Sequence, residues 1–226
     1  MQTEIRHAPS FALIRLTLAG GEEVRVQAGA MAAHSAGLEL EAKMEGGLMK
    51  SLKRSVLGGE SLFMSKYTAP SQGGWVEVSA TLPGDAFTVE VNGEYFLTRG
   101  AYLASSLGLE LNTKFGGFGN LAGGEGGFLV HVSGTGTLVA ACYGAIDRRQ
   151  LAAGETITVD SGHLVAFAPG VQMASRRAAK SMMGSFKSGE NLVFDLTGPG
   201  EIVTQSRNPR DLEGWIRSLM PSGVGA

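Results

Sequence analysis

A single cysteine, Cys142, stands among the 226 residues, so no disulfide can close within the chain and a fold stapled by such bonds is excluded. Cys142 sits in the apolar run Leu138 to Tyr143, where it reads as a buried strand residue suited to a reducing compartment. Long apolar runs are also missing: nowhere do about 18 apolar residues follow one another, the minimum for a membrane-spanning helix. Glu4 and His7 precede an apolar stretch that Arg15 interrupts, which is not a signal-peptide pattern, and a cytoplasmic protein is expected. An excess of positive charge is absent as well. Lys and Arg number 19 against 21 Asp and Glu, the net charge is −2, and the basic residues are spread out, so no nucleic-acid partner is expected. Charged residues make up 18%, below the ~25% typical of soluble domains, and some surface is expected to be covered by another subunit.

Glycine is what the chain has in plenty, 34 residues or about twice the ~7% of ordinary proteins. These glycines punctuate short stretches of Val, Leu, Thr and Phe as turns punctuate strands. They also repeat. Gly59-Glu60, Gly124-Glu125 and Gly189-Glu190 each precede an apolar run. Gly21-Glu22, Gly93-Glu94 and Gly154-Glu155 form a second series. Gly29 and Gly37, Gly100 and Gly108, and Gly162 and Gly170 form a third, and Gly74, Gly136 and Gly200 a fourth. Self-similarity in one order marks repeated supersecondary units that bury a core only by packing on one another. One compact β-rich body (1–206) of three repeats is expected, with units at approximately 11–91, 92–152 and 153–206.

Period-two alternation predicts half-buried strands at Ile14, Leu16 and Leu18, at Leu38 and Leu40, at Phe87, Val89 and Val91, and at Ile157 and Val159. The last segment switches period. Leu212, Trp215, Ile216, Leu219 and Met220 form a stripe at helical spacing, with Asn208 as cap, Pro209 at the first position and Asp211 at the positive end. A C-terminal helix over 208–220 follows, lying on the β body or on a partner, with 221–226 as a flexible tail.

Several motifs together resemble one family. Gly46-Gly47-Leu48 with Leu52-Lys53-Arg54 is followed by 59 to 63 (GESLF), Pro83-Gly84-Asp85, Gly123-Gly124-Glu125-Gly126 and Ser133-Gly134-Thr135-Gly136. Then come Asp160-Ser161-Gly162-His163 with its apolar continuation, Ser188-Gly189-Glu190 and Thr197-Gly198-Pro199-Gly200. This order, from about residue 5 to 206, is similar to the altered inheritance of mitochondria protein 24 family, which includes bacterial members of unknown function. The departure is Gly126-Gly127, where the pattern has Gly-Leu or Ser-Leu. The resemblance implies an all-β fold, a duplicated double-stranded β-helix or β-sandwich of the tryptophan RNA-binding attenuation protein-like superfamily, with a short C-terminal α-helix. It further implies a homo-oligomer, an association of the mitochondrial members with inner-membrane organisation, and no catalytic residues to carry over.

Chemical motifs are sparse. His7, His34, His131 and His163 show no paired ligand spacing, so no metal is expected, and His163 reads as a hydrogen-bonded structural residue. The cluster Gly116 to Gly124 is followed by another turn and a strand rather than a helix, which leaves no phosphate cradle and no cofactor. Glu60, Glu125 and Glu190, at matching places of separate units, read as turn residues accepting backbone N–H groups rather than as a catalytic pair. No enzyme is expected. The segments ahead of these Gly-Glu pairs carry the sharper expectation. Met49, Lys50, Leu52, Lys53 and Arg54 in the first unit, Phe115, Phe118 and Leu121 in the second, and Lys180, Met182, Met183, Phe186 and Lys187 in the third mix large apolar groups with Gly and basic side chains. They are candidate interaction loops for a membrane surface or a partner protein, unless they are buried within the subunit or at an oligomer contact. The function expected is a non-catalytic oligomeric scaffold or binding protein, cytoplasmic, with either a membrane surface or a partner protein as what those loops would meet. The alternative is a small-ligand binder or enzyme using a cleft between repeats.

Overall fold

A computed structural model describes residues 1–44, 63–112, 129–178 and 192–220. The first unit runs through β1 (Gln2–Arg6), β2 (Leu13–Leu18), β3 (Glu23–Gln27), β4 (Met31–His34), β5 (Glu39–Met44), β6 (Phe63–Thr68) and β7 (Gly74–Val78). The second has β8 (Ala86–Thr98), β9 (Tyr102–Ser106), β10 (Leu109–Asn112) and β11 (Leu129–Ala141). The third has β12 (Ile146–Leu151), β13 (Thr156–Asp160), β14 (Leu164–Phe167), β15 (Gln172–Arg177), β16 (Leu192–Thr197) and β17 (Gly200–Gln205). A helix, α1 (Pro209–Leu219), follows. Among the described residues the chain is mostly β-sheet, with this helix after the last strand, and the paired strands run antiparallel.

Strand register shows that the three units are one design. In the first, β2 pairs β7, β3 pairs β6, β4 pairs β7 and β5 pairs β6. The third repeats this with β12·β17, β13·β16, β14·β17 and β15·β16. In the second, β8 replaces the first two strands and β11 the last two, while β9 and β10 pair with β11 as their counterparts do. The glycine series aligned from sequence meet at one structural place: Leu18 lies opposite Gly74, Val91 opposite Gly136, and Leu151 opposite Gly200. Small bonds repeat too. The Trp75 N–H donates to Ser35 Oγ at 3.0 Å and the Thr137 N–H to Ser106 Oγ at 3.1 Å.

Gly-Glu turns recur where the first strand bends into the second. Glu22 accepts the Ala19 N–H at 2.8 Å and Glu155 accepts the Ala152 N–H at 2.8 Å, with Gly21 and Gly154 at φ +74 and +79. A left-handed residue costs glycine little, and this turn requires one. In the second unit the chain does not bend. Gly93 sits inside β8 opposite Gly134, and the Glu94 carboxylate pairs with His131 at 3.1 Å. β8 passes residue 91 without a break, and strand pairing groups residues 13–78, 86–141 and 146–205.

Alternation carries the core. Ile14, Leu16, Leu18, Val24, Val26, Val76 and Val78 are buried between the two sheets of the first unit. Phe87, Val91, Leu97, Tyr102, Leu109 and Leu138 fill the second, and Phe167, Phe194, Leu196 and Ile202 the third. Each fully buried side chain of this size contributes roughly 1.5–3 kcal/mol. Leu40 departs from expectation. It alternates as predicted, yet among the described residues β5 pairs only β6, and Leu40 on that edge is 54% exposed.

Units join edge to edge. β9 of the second unit pairs β3 of the first, and β14 of the third pairs the C-terminal half of β8, the counterpart of β3. Buried strands therefore continue from unit to unit, and Arg25 of the first unit donates to the Leu109 carbonyl of the second.

Candidate functional cleft where the three units meet

A cleft of about 450 Å³ opens where equivalent stretches of the three units converge. The end of β3 supplies Gln27, and the connection between β7 and β8 supplies Ala80 to Leu82. The end of β8 and of β11 supply Thr98, Gly100, Ala101 and Ala141 to Tyr143. The third unit adds Ser161, Gly162, Leu164 and Gln205, and the start of α1 adds Asn208 to Arg210. Such a volume lies within the usual 300–1,000 Å³ of small-molecule sites.

The polar groups here are tied to one another. The Tyr143 N–H donates to Gln205 Oε1 at 2.8 Å, and Gln205 Nε2 donates to the Gly162 carbonyl at 2.8 Å. Asp160 accepts from the Gly162 N–H at 2.9 Å and from Asn208 Nδ2 at 3.2 Å. Asn208 in turn accepts the Arg210 N–H at 2.9 Å and so caps α1. A Cβ on Gly162 would stand 2.2 Å from the Asn208 amide, so the glycine lets the helix start sit against the turn. His163 takes its expected structural place, with Nδ1 at 2.7 Å from the Gln205 carbonyl.

Cys142 is buried, just past β11. Burial pushes its thiol up to about 11, and Sγ donates to the Gly144 carbonyl at 3.2 Å. A thiol so raised is protonated at neutral pH and is a poor nucleophile or metal ligand. Among the described residues no three His, Cys, Asp or Glu side chains converge as a metal site would require. The cleft can therefore hold an uncharged or weakly polar ligand by shape and a few hydrogen bonds.

The candidate interaction loops, Met49, Lys50, Leu52, Lys53, Arg54, Phe115, Phe118, Leu121, Lys180, Met182, Met183, Phe186 and Lys187, lie outside the described residues, as do the turn residues Glu60, Glu125 and Glu190 and the tail 221–226. What is described is where their stems end. Met44 faces Phe63, Asn112 pairs His131, and Arg177 faces Leu192, so each segment joins the two strands of an antiparallel pair at the same place in its unit. The role foreseen for those glutamates, accepting backbone N–H groups, is played in the described chain by Glu22 and Glu155. A cleft between repeats is the alternative expected from sequence, but its lining residues are not legible there because they are far apart in the chain. The signal lay in the repeat: Gln27 and Asp160, and likewise Ala80 and Cys142, occupy matching places of their units.

The helix α1 forms over the expected residues but does not lie on the β body as a buried element. Only Leu212 is half-buried, whereas Trp215 is 61% and Leu219 65% exposed. No described helix is long and apolar enough to cross a membrane.

These features define a class: a β-rich protein made of three tandem units joined through their strand edges, with a terminal helix latched to the last. Residues 3–207 match the family described as mitochondrial biogenesis AIM24, and the chain belongs to that family. An uncharacterized protein of Streptococcus pyogenes serotype M6 is 31% identical over 232 residues, covering 98% of this chain and 92% of its own. A crystal structure of a Streptococcus pyogenes protein superposes with a TM-score of 0.80 at 28% identity, covering 97% of this chain and 99% of the other.

Proposed function

We propose that this chain is a non-catalytic, oligomeric binding scaffold that meets an anionic membrane surface through the Gly, apolar and basic segments at its stem ends. The observation that carries this reading is the strand register, which sets three segments that mix Gly with large apolar residues, the first and third of them basic, at equivalent ends of three equivalent stems. Repetition of a weak contact multiplies affinity without any one site being strong. Lys50, Lys53 and Arg54 in the first segment, with Lys180 and Lys187 in the third, each add about 1 kcal/mol near an anionic leaflet. Met and Phe beside them adapt to an irregular apolar boundary. The protonated Cys142 thiol and the mutually bonded polar groups of the cleft favour binding over catalysis.

The test is flotation with vesicles containing phosphatidylserine, and with neutral vesicles, at low salt. The chain floats with the anionic vesicles, and replacing Lys50, Lys53 and Arg54 by Glu lowers the bound fraction while the oligomer persists. Absence of flotation by the unmodified chain would overturn membrane contact and leave a partner protein as the occupant of those segments. A second reading, favoured by the cleft itself, is a small apolar ligand held among the three units. Native mass spectrometry of protein purified from its own cells would show that ligand as a mass retained on the folded chain and lost on denaturation.

A further inference from the structure

The strands that join the units inside the chain have two counterparts that pair with no other unit among the described residues. At each internal junction, a β4-type strand of one unit (β9 or β14) pairs a β3-type strand of the unit before it. Among the described residues β4 of the first unit pairs only β7. In the third, β13 pairs only β16 among the described residues. Other described strands also have an open edge, but these two alone are counterparts of strands paired at both internal junctions.

Burial follows the same division. Met31 of β4 is 38% exposed, whereas its counterparts Tyr102 and Leu164 are 0% and 2% exposed. His34 is exposed, whereas Ser105 and Phe167 at the same place are buried. On the other side, Ile157 and Val159 of β13 are only half-buried, while Val24 and Val26 of β3 are fully covered. Small side chains, Ala32 and Ala33, flank the open edge of β4, and neither strand carries a Lys or Pro to block an approaching strand.

From this we infer that β13 of one molecule pairs with β4 of a second copy, extending between chains the junction that already occurs twice within each. The contact is head-to-tail, so it closes into a ring or runs on as a filament according to the rotation at each step. The register at the first internal junction places Arg25 opposite Ser105, and the counterparts of those residues are Thr158 and His34. Both free edges offer an N–H there. Ser35 donates its N–H inward to Trp75 and Ser161 donates inward to Leu192, so the alternate groups of His34 and Thr158 point outward. The inference goes beyond the binding function proposed above and stands whether or not lipid is bound.

Two full-length variants test it, His34→Pro and Thr158→Pro, each removing one outward donor where proline is tolerated at a strand edge. By light scattering after size exclusion, the unmodified chain is larger than one molecule and each variant alone is a monomer. An equal mixture of the two forms a dimer of one copy each and grows no further, because each supplies the edge that the other retains. His34→Thr and Thr158→Val keep the N–H groups while losing the same side-chain contacts, and they assemble as the unmodified chain does. A monomeric unmodified chain, a proline variant that assembles alone, or a mixture of folded variants that stays monomeric overturns the inference. Should proline impair folding, His34→Cys in one chain and Thr158→Cys in another, each on a Cys142→Ser background, provide the same decision. Directly paired residues lie about 5.5 Å apart at Cα, within disulfide range, so oxidation links the two chains only when they are mixed. No linked species overturns the inference.

Discussion

At residue scale, Glu77 illustrates how a nearly buried carboxylate is held in this fold. Its side chain, on β7 and almost buried, accepts from Arg15 Nε at 2.9 Å and pairs with Arg6 across the β1·β2·β7 sheet. Arg15 also lies 4.3 Å over the Trp75 ring. Burial alone would raise the Glu77 carboxyl, but the Arg15 hydrogen bond and the two guanidinium charges reverse that and hold it below its ordinary value. A carboxylate depressed in the folded state contributes stability that is complete above its unfolded pKa, about 4.3, and is lost as pH falls through the lower folded value. Urea melts should therefore show the native chain more stable than Glu77→Gln at pH 7, with the gap narrowing as the pH drops below about 4. A gap that stays constant with pH would contradict this account. Of such residues the sequence revealed only the type. Glu22 and Glu155 could be read as turn acceptors by the Gly that precedes them, whereas the Arg6–Glu77 pair joins positions 71 apart and required the sheet order.

Elements show where local signals suffice. The stripe and cap of α1 were legible because a helix is a local structure, and Asn208, Pro209 and Asp211 occupy the places that helix starts demand. Its docking was not legible, since the apolar stripe alone does not say what covers it. The contacts of Asn208 with Asp160 and with the Arg210 N–H decide where the helix begins, and both pass through one side chain. Asn208→Ala should cost about 1 kcal/mol, and should speed tryptic cleavage at Arg210 and Arg217 without unfolding the sheets. If cleavage at those sites is unchanged, the cap does not hold the helix. Strands followed the same rule. Ile14, Leu16 and Leu18 alternate and are buried, while Leu40 alternates equally well and is exposed, because burial on an edge strand depends on what lies beyond it.

For the whole molecule, recurrence of glycines made three units legible, since turns needing left-handed backbone or close approach recur wherever the design recurs. Unit limits were less so. Gly93-Glu94 repeats the Gly21-Glu22 signal yet stands inside β8, and only pairing with Gly134 distinguishes a straight strand from a corner. The edges were invisible in sequence, because Met31, Tyr102 and Leu164 are all large apolar residues and differ only in whether another unit covers them. Hydrogen exchange at the four strands that carry the junctions tests the equivalence of units most directly. The account predicts slow exchange in β9 and β14 at every protein concentration, with fast exchange in β4 and β13 when dilute that slows in both as concentration rises. Exchange in β9 or β14 as fast as in dilute β4, or protection in β4 that rises without β13, would contradict it.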